Sequence, residues 1–436
     1  MHQLIHDRQL AGHRAVVVGA GISGLAAAKL LTALGAEVRI LEKDSAKADA
    51  LALEAGPLGW DLRLGEHTPD QFAGVDLVIV SPGVAMDSIA PYLPSAAKVV
   101  SELELGSWFV SKPVVAVTGT NGKTTTTAMI AHILTMEGHR VFAGGNLGEP
   151  LCAHVLSGRE VDFVVLEVSS FQAQFTESLH PASAVLLNFS ANHLDHHRSM
   201  DEYLNAKLRL FARMTDQDQA VLALELKELL EPKNFTRARR VYFVANPEMV
   251  CPRLRGNHNL ANAEAAYLAL RPFGVTREKV RRALATFVPW PHRLQSVVEH
   301  RGVLWVDDSK ATTVDALRAA LRSFPGRPIL LLAGGVFKGG DLTSLLPLLR
   351  DTVREIFLFG ASREIFESAW QGHLPLTWSP SLDQAVALAH GRAVAGDVVL
   401  LSPATASFDL FANYKERGLA FQRALVSLTA GREVTR

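Results

Sequence analysis

The stretch "VAVTGTNGKTTTT", Val115 to Thr127, sets two glycines, one lysine and a run of threonines directly behind an apolar β-branched segment. That order reads as a strand, a tight loop and a helix start, where unpaired N–H groups and the helix dipole favour phosphate. A strict phosphate loop is G-x-x-x-x-G-K-[ST], but Val117 stands where its first glycine belongs, and the first glycine here is Gly119. The candidate nucleotide loop is therefore Gly119, Thr120, Asn121, Gly122, Lys123, Thr124 and Thr125. Lys123 suits the β and γ phosphates and the Thr124 hydroxyl suits magnesium. The plainer alternative is a threonine-rich helix cap beside an exposed lysine.

Beyond the loop, "TTTTAMIAHILTMEGH" continues as a helix, and "VDFVVLEVSS" and "ASAVLLNFS" read as further strands. Upstream, Ala15 to Val18, a glycine turn, a helical pattern to Leu34 and "EVRILE" form a βαβ unit, continued by "VDLVIVSPG". Downstream, Pro289 and Pro291 around Trp290 mark a linker, followed by "GVLWVDDSK", "PILLLAGG", "VREIFLFG" and "GDVVLLSPATAS". The fold class is α/β in three domains: a Rossmann-like first domain, a central ATPase-type domain with a mainly parallel sheet, and a Rossmann-like third domain. The boundaries expected are 1–103, 104–290 and 291–436.

A chain of 436 residues exceeds the span of one hydrophobic core, and its 44 basic and 44 acidic side chains cancel. No broad positive field is present for nucleic acid or anionic lipid, so small-molecule chemistry is expected. Cys152 and Cys251 form neither a disulfide framework nor a C-x-x-C pair, which fits a reducing cytoplasm. Ala15 to Ala28 imitates a signal peptide, but its three glycines argue against one, and no run reaches the roughly 18 apolar residues of a membrane span. No feature marks a dimer surface, so a monomer is expected.

Gly19, Gly21 and Gly24, with Glu42 ending the next strand, match the dinucleotide fingerprint. Any diphosphate satisfies that physics, UDP included. A flavin or nicotinamide oxidoreductase is therefore one open reading, although it leaves the second loop without a task. A tight turn with nothing bound is another.

Beyond these loops, "TGTNGKT" resembles the phosphate loop of the Mur ligases and their folylpolyglutamate synthetase relatives. Further similar landmarks follow in order: "GGNLGEP" (144–150), "LEVSSFQ" (166–172), "LNFSANHLDHH" (187–197), "YLNAK" (203–207), "GNHNLANAEAA" (256–266), "PHR" (291–293) and "DDSKATT" (307–313). The two ends, "GAGISGLAAAKLL" and "LSPATASFDLFANYKERG", resemble the branch that adds D-glutamate to UDP-N-acetylmuramoyl-L-alanine in peptidoglycan precursor synthesis.

That resemblance implies an ATP-dependent ligase acting through an acyl phosphate. It implies that Thr124 and Glu167 ligate one magnesium ion, while His193 and a carbamate on Lys207 hold a second. Lys123, His193 and Lys207 are then the catalytic candidates, with Asn259, Asn262, Arg293 and Asp308 on the nucleotide. Arg293 and Asp308 lie beyond the linker, so the resemblance also implies that the third domain closes over the second. For the uridine substrate it nominates Ile22, Ser23, Glu42, Ser81, Gly83 and Asn146, and for D-glutamate Lys310, Thr312, Lys338, Ser407, Phe408 and Tyr414. Asn192, His196 and Phe337 depart from the family's usual aspartate, arginine and aspartate.

Overall fold

Strands buried on both faces read as continuous apolar runs, and three sets of such runs build three sheets. The computed structural model describes residues 10–146, 148–190, 197–254 and 256–430. The first sheet contains β1 (Arg14–Val18), β2 (Glu37–Glu42), β3 (Asp61–Leu64), β4 (Leu77–Val80) and β5 (Lys98–Ser101). Its order is β3-β2-β1-β4-β5, with every pair parallel. Helix α1 (Ile22–Ala33) leaves the sheet where the order reverses, which puts the Gly19–Gly24 turn at the position open α/β sheets use for ligands. Gly24 is required there, because a Cβ would lie 2.0 Å from the Gly19 carbonyl oxygen.

Helix α2 (Glu102–Ser107) follows the first sheet and buries two carboxylates. Glu104 accepts hydrogen bonds from Trp108 Nε1 and from the backbone N–H groups of Glu177, Ser178 and Leu179. It thereby fastens the first sheet's exit to a loop of the second. Glu102 accepts from Cys152 N at 2.6 Å through one oxygen, while the other has no hydrogen-bond partner among the described residues. Burial pushes its carboxyl up to about 7.

The second sheet contains β6 (Val114–Thr118), β7 (Val141–Gly145), β8 (Phe163–Glu167), β9 (Ser183–Leu186), β10 (Gln219–Ala223) and β11 (Arg239–Phe243). It is parallel throughout, in the order β11-β10-β9-β6-β8-β7. Every residue of β6 is buried, which anchors the loop that follows it. Helix α3 (Lys123–Met136) starts directly after that loop, as its threonine run predicts.

The third sheet contains β12 (Gln295–His300), β13 (Val303–Asp307), β14 (Ile329–Gly334), β15 (Val353–Phe359), β16 (Leu376–Ser379) and β17 (Val398–Leu401), ordered β12-β13-β17-β14-β15-β16. The four expected strands are present, joined by β12 and β16. β12 runs antiparallel to β13 through a two-residue turn in which Arg301 and Gly302 both have positive φ. Its exposure alternates along an edge strand, so it lacks the continuous apolar run that marks the buried strands. By contacts, the first two sheets belong to one compact unit and the third sheet to another.

Candidate active site

At the end of β6 the chain turns at Gly119, whose φ is 145° and where a Cβ would stand 3.0 Å from Leu187 Cβ. Val117 lies inside the strand, paired with Glu167 on β8 and Val185 on β9. The missing first glycine therefore has a structural cause: the position is core, and the loop begins two residues later. Gly122, at φ 82°, ends the loop and caps α3.

Asn188, which the sequence reading did not single out, braces this loop. Its Oδ1 accepts from Thr120 N at 3.1 Å and Asn121 N at 2.8 Å, and its Nδ2 donates to Asn121 O at 3.1 Å. The signal available was position alone, two residues beyond β9, the strand beside β6. Lys123 Nζ donates to the carbonyls of Gly119 and Thr120. Lys207, on helix α4 (Met200–Leu208), is 1% exposed and donates to Gly119 O at 3.0 Å, with its ammonium 4.3 Å from the Tyr203 ring centre. Burial, helped by the nearby Lys123 charge, holds the Lys207 amine well below the usual lysine range. No ion pair neutralises Lys207 among the described residues.

Glu167 ends β8 within the same sheet. Its Oε1 accepts from Asn146 Nδ2 at 2.7 Å, and Asn146 N in turn donates to the Glu167 carbonyl at 2.8 Å. Its Oε2 is buried and has no hydrogen-bond partner among the described residues. A buried, unsatisfied carboxylate oxygen has the chemistry of a hard-cation ligand, and Thr124 supplies a second buried oxygen donor on α3. Among the described residues no cluster of three or more histidine, cysteine, aspartate or glutamate side chains stands ready for a metal. His193 lies outside the described residues, as do Asn192, Asp195 and His196. His197 is buried, shares a hydrogen bond with Ser170 Oγ at 2.9 Å and stacks on Phe171, which makes it a packing residue.

In the first sheet, Glu42 is already engaged. Its carboxylate accepts from Ala20 N at 2.9 Å and Asp44 N at 3.0 Å and pairs with Lys47 at 3.1 Å. Those contacts hold its carboxyl low against the opposing effect of burial. The carboxylate thus shapes the glycine turn, which weakens the dinucleotide reading, where it would grip a ribose. Ser81 Oγ donates to Gly19 O at 2.8 Å, and Ile22 is exposed at the helix start with Ser23 behind it. Gly83 lies in the turn after β4.

The second unit gathers the remaining candidates. Lys310 lies 4.2 Å from the Tyr414 ring centre and Lys338 lies 5.9 Å from that of Phe408. Ser407 is buried, and Thr312 follows on the Lys310 loop. Asp308 is buried, accepts from Leu294 N and Ser402 Oγ, and is pushed up to about 7 by burial. Arg293 precedes Leu294 on the segment entering β12. Asn262 Nδ2 donates to Asn259 Oδ1 at 3.2 Å on helix α5 (Asn257–Leu270). His292 Nδ1 pairs with Asp307 Oδ2 at 2.7 Å, an arrangement not anticipated from sequence.

Three family descriptions match the chain: the Mur ligase MurD-like N-terminal domain over residues 13–101, the Mur ligase middle domain over 117–249, and the Mur ligase glutamate ligase domain over 292–405. The chain belongs to the Mur ligase family. A relative from Nitratidesulfovibrio vulgaris (strain DP4), named UDP-N-acetylmuramoylalanine–D-glutamate ligase, is 51% identical, covering 96% of this chain and 97% of its own. A relative of the same name from Oleidesulfovibrio alaskensis is 49% identical over 99% and 100%. Among solved structures, the Mur ligase MurF from Thermotoga maritima in complex with ADP superposes with a TM-score of 0.60 at 18% identity, covering 98% of this chain and all of that one. At that identity the likeness establishes the fold, the three-domain α/β Mur ligase arrangement with mainly parallel sheets.

Proposed function

We propose that this chain is an ATP-dependent ligase that joins D-glutamate to the alanyl carboxylate of UDP-N-acetylmuramoyl-L-alanine in peptidoglycan precursor synthesis. The relatives at about half identity over nearly the whole chain support the reaction. The observation that carries the mechanism is the convergence of Lys123 and Lys207 on the Gly119 carbonyl at the mouth of the braced loop.

A carboxylate resists attack by an amine, so the reaction first converts it to an acyl phosphate. The carboxylate oxygen displaces ADP from the γ-phosphorus; the amino group of D-glutamate then attacks the acyl carbon, phosphate leaves, and the amine loses a proton. The chain's work is to hold two polyanions in line and to keep water away from the mixed anhydride. Loop N–H groups at the start of α3 and the Lys123 ammonium bind the phosphates. Magnesium, once bound, would supply positive charge that offsets the charge of the phosphates. Thr124 and the free oxygen of Glu167 would hold one ion; a carbamate on Lys207, with His193, would hold a second.

Burial of Lys207 supports the carbamate. An amine kept neutral attacks CO2 and loses one proton, leaving an anionic oxygen donor where an ammonium would repel magnesium. Lys310, Lys338, Thr312 and Ser407 offer cations and hydroxyls suited to two carboxylates, with Tyr414 and Phe408 backing the lysines. Ile22, Ser23, Glu42, Ser81, Gly83 and Asn146 are assigned to the uridine substrate, Glu42 through the glycine turn it holds, and Asn259, Asn262, Arg293 and Asp308 to the nucleotide. No described helix is long and apolar enough to cross a membrane, and a reaction that consumes ATP and a nucleotide-sugar supports a cytoplasmic location.

The test is phosphate release with ATP, magnesium and UDP-N-acetylmuramoyl-L-alanine while the amino acid is varied. D-Glutamate should stimulate release; stimulation by L-alanine or a diamino acid in its place would overturn the assignment.

A further inference from the structure

Arg417 is fully buried near the start of helix α6 (Tyr414–Ala430), and all of its guanidinium donors are used. Nε donates to Ser309 Oγ at 3.0 Å. Nη1 donates to Thr405 Oγ1 at 3.4 Å and Ala406 O at 3.1 Å. Nη2 donates to Ser309 O at 2.8 Å and Thr405 O at 3.0 Å. Every acceptor is neutral, and no ion pair of Arg417 occurs among the described residues.

Burying a cation with no directly bonded carboxylate is costly, and the charges of Asp409, Asp307 and Asp308 offset only part of that cost, since burial still holds the guanidinium below its ordinary range. What the guanidinium adds is direction: a rigid planar fork fixes several acceptors at once. Ser309 immediately precedes Lys310, and its Oγ donates onward to Tyr414 O at 2.8 Å. Ala406 immediately precedes Ser407 and exchanges two backbone hydrogen bonds of 2.9 Å with Val336, two residues before Lys338. Gly335 completes the cradle, since a Cβ there would lie 2.2 Å from Ala406 O and 3.1 Å from Arg417 Nη1.

We propose that Arg417 is a positioning residue for amino-acid selection: without touching the substrate, it locks the three loops bearing Lys310, Lys338 and Ser407 into the spacing that receives a dicarboxylate amino acid. This rests on the D-glutamate reading given above. A residue that merely supports the fold would affect all substrates alike, whereas one that spaces these loops affects the amino acid selectively.

Arg417→Lys keeps the charge and removes the fork. In steady-state kinetics with each substrate varied, KM for D-glutamate should rise about tenfold or more, the scale of one lost charge-assisted hydrogen bond. KM for ATP and for the uridine substrate should stay within about twofold. A folded variant with unchanged D-glutamate KM, or with equal rises for all three substrates, overturns the proposal. If Arg417→Lys does not fold, Ser309→Ala, which removes the Nε acceptor, must give a smaller rise confined to D-glutamate; an unchanged or uniform response overturns it equally. Wild-type enzyme that ignores D-glutamate sinks the functional reading and this proposal with it, whereas a responsive wild type with a flat variant sinks the proposal alone.

Discussion

Lys123 and Lys207 share one acceptor: both ammonium groups donate to the Gly119 carbonyl oxygen at 3.0 Å. Burial of Lys207, helped by repulsion from the Lys123 charge on the same oxygen, holds its amine well below the ordinary value. A lysine whose folded pKa is depressed binds fewer protons folded than unfolded, so its contribution to stability rises with pH until the unfolded value near 10.5 is passed.

Lys207→Ala therefore removes this pH dependence along with the amine. Urea melts at pH 6.5 and pH 9 should show wild type gaining more stability across the interval than the variant. Ligase activity should fall by about a hundredfold or more, as expected for loss of a metal-ligand site. Exhaustive CO2 removal should likewise depress wild-type activity, and bicarbonate should restore it. Near wild-type rates in the folded variant would remove the carbamate from the mechanism.

Glu167→Gln retains the Asn146 contact but replaces the unpartnered anionic oxygen. Magnesium affinity, read by activity titration, should weaken about tenfold to a hundredfold while the melting temperature changes little. An unaltered magnesium curve would move the ion elsewhere.

Asn188→Ala frees the Thr120 and Asn121 N–H groups and the Asn121 carbonyl from their brace. The loop then has to be ordered by the nucleotide, so KM for ATP should rise about tenfold, the worth of one to two hydrogen bonds. KM for D-glutamate should remain near wild type. A selective effect on D-glutamate would contradict the loop-bracing role.

Glu102 offers a stability test away from the chemistry. Its folded pKa of about 7 lies above its ordinary value, so its contribution is fully present below about pH 4.5 and is lost as pH climbs through 7. Glu102→Gln stays neutral throughout and should be more stable than wild type at pH 8, by about 1–3 kcal/mol, with the advantage vanishing near pH 5. Denaturant melts at the two pH values check this; equal differences at both would contradict it.

The strands that position the phosphate loop were legible because a parallel strand buried on both faces must be a continuous apolar run, as in Val114–Thr118 and Phe163–Glu167. β12 was not, because an exposed edge alternates and its turn uses Arg301-Gly302 in place of the more recognisable Asn-Gly. Lys123 and Thr124 were legible from local spacing. Asn188, Arg417 and the His292–Asp307 pair were not, since each acts on residues far away in sequence and carries no local pattern. Lys207 was nominated only by resemblance; what the fold adds is its burial, which changes a surface-type residue into an unusual amine.

In the proposed reaction the terminal phosphoryl group of ATP passes to the alanyl carboxylate before the amide forms. The direct measurement uses UDP-N-acetylmuramoyl-L-alanine carrying heavy oxygen in that carboxylate, with mass analysis of the phosphate released during one turnover with D-glutamate. Transfer through an acyl phosphate delivers one heavy oxygen to each phosphate. Phosphate free of label, with one heavy oxygen lost to water while the other stays in the amide carbonyl, would contradict the mechanism.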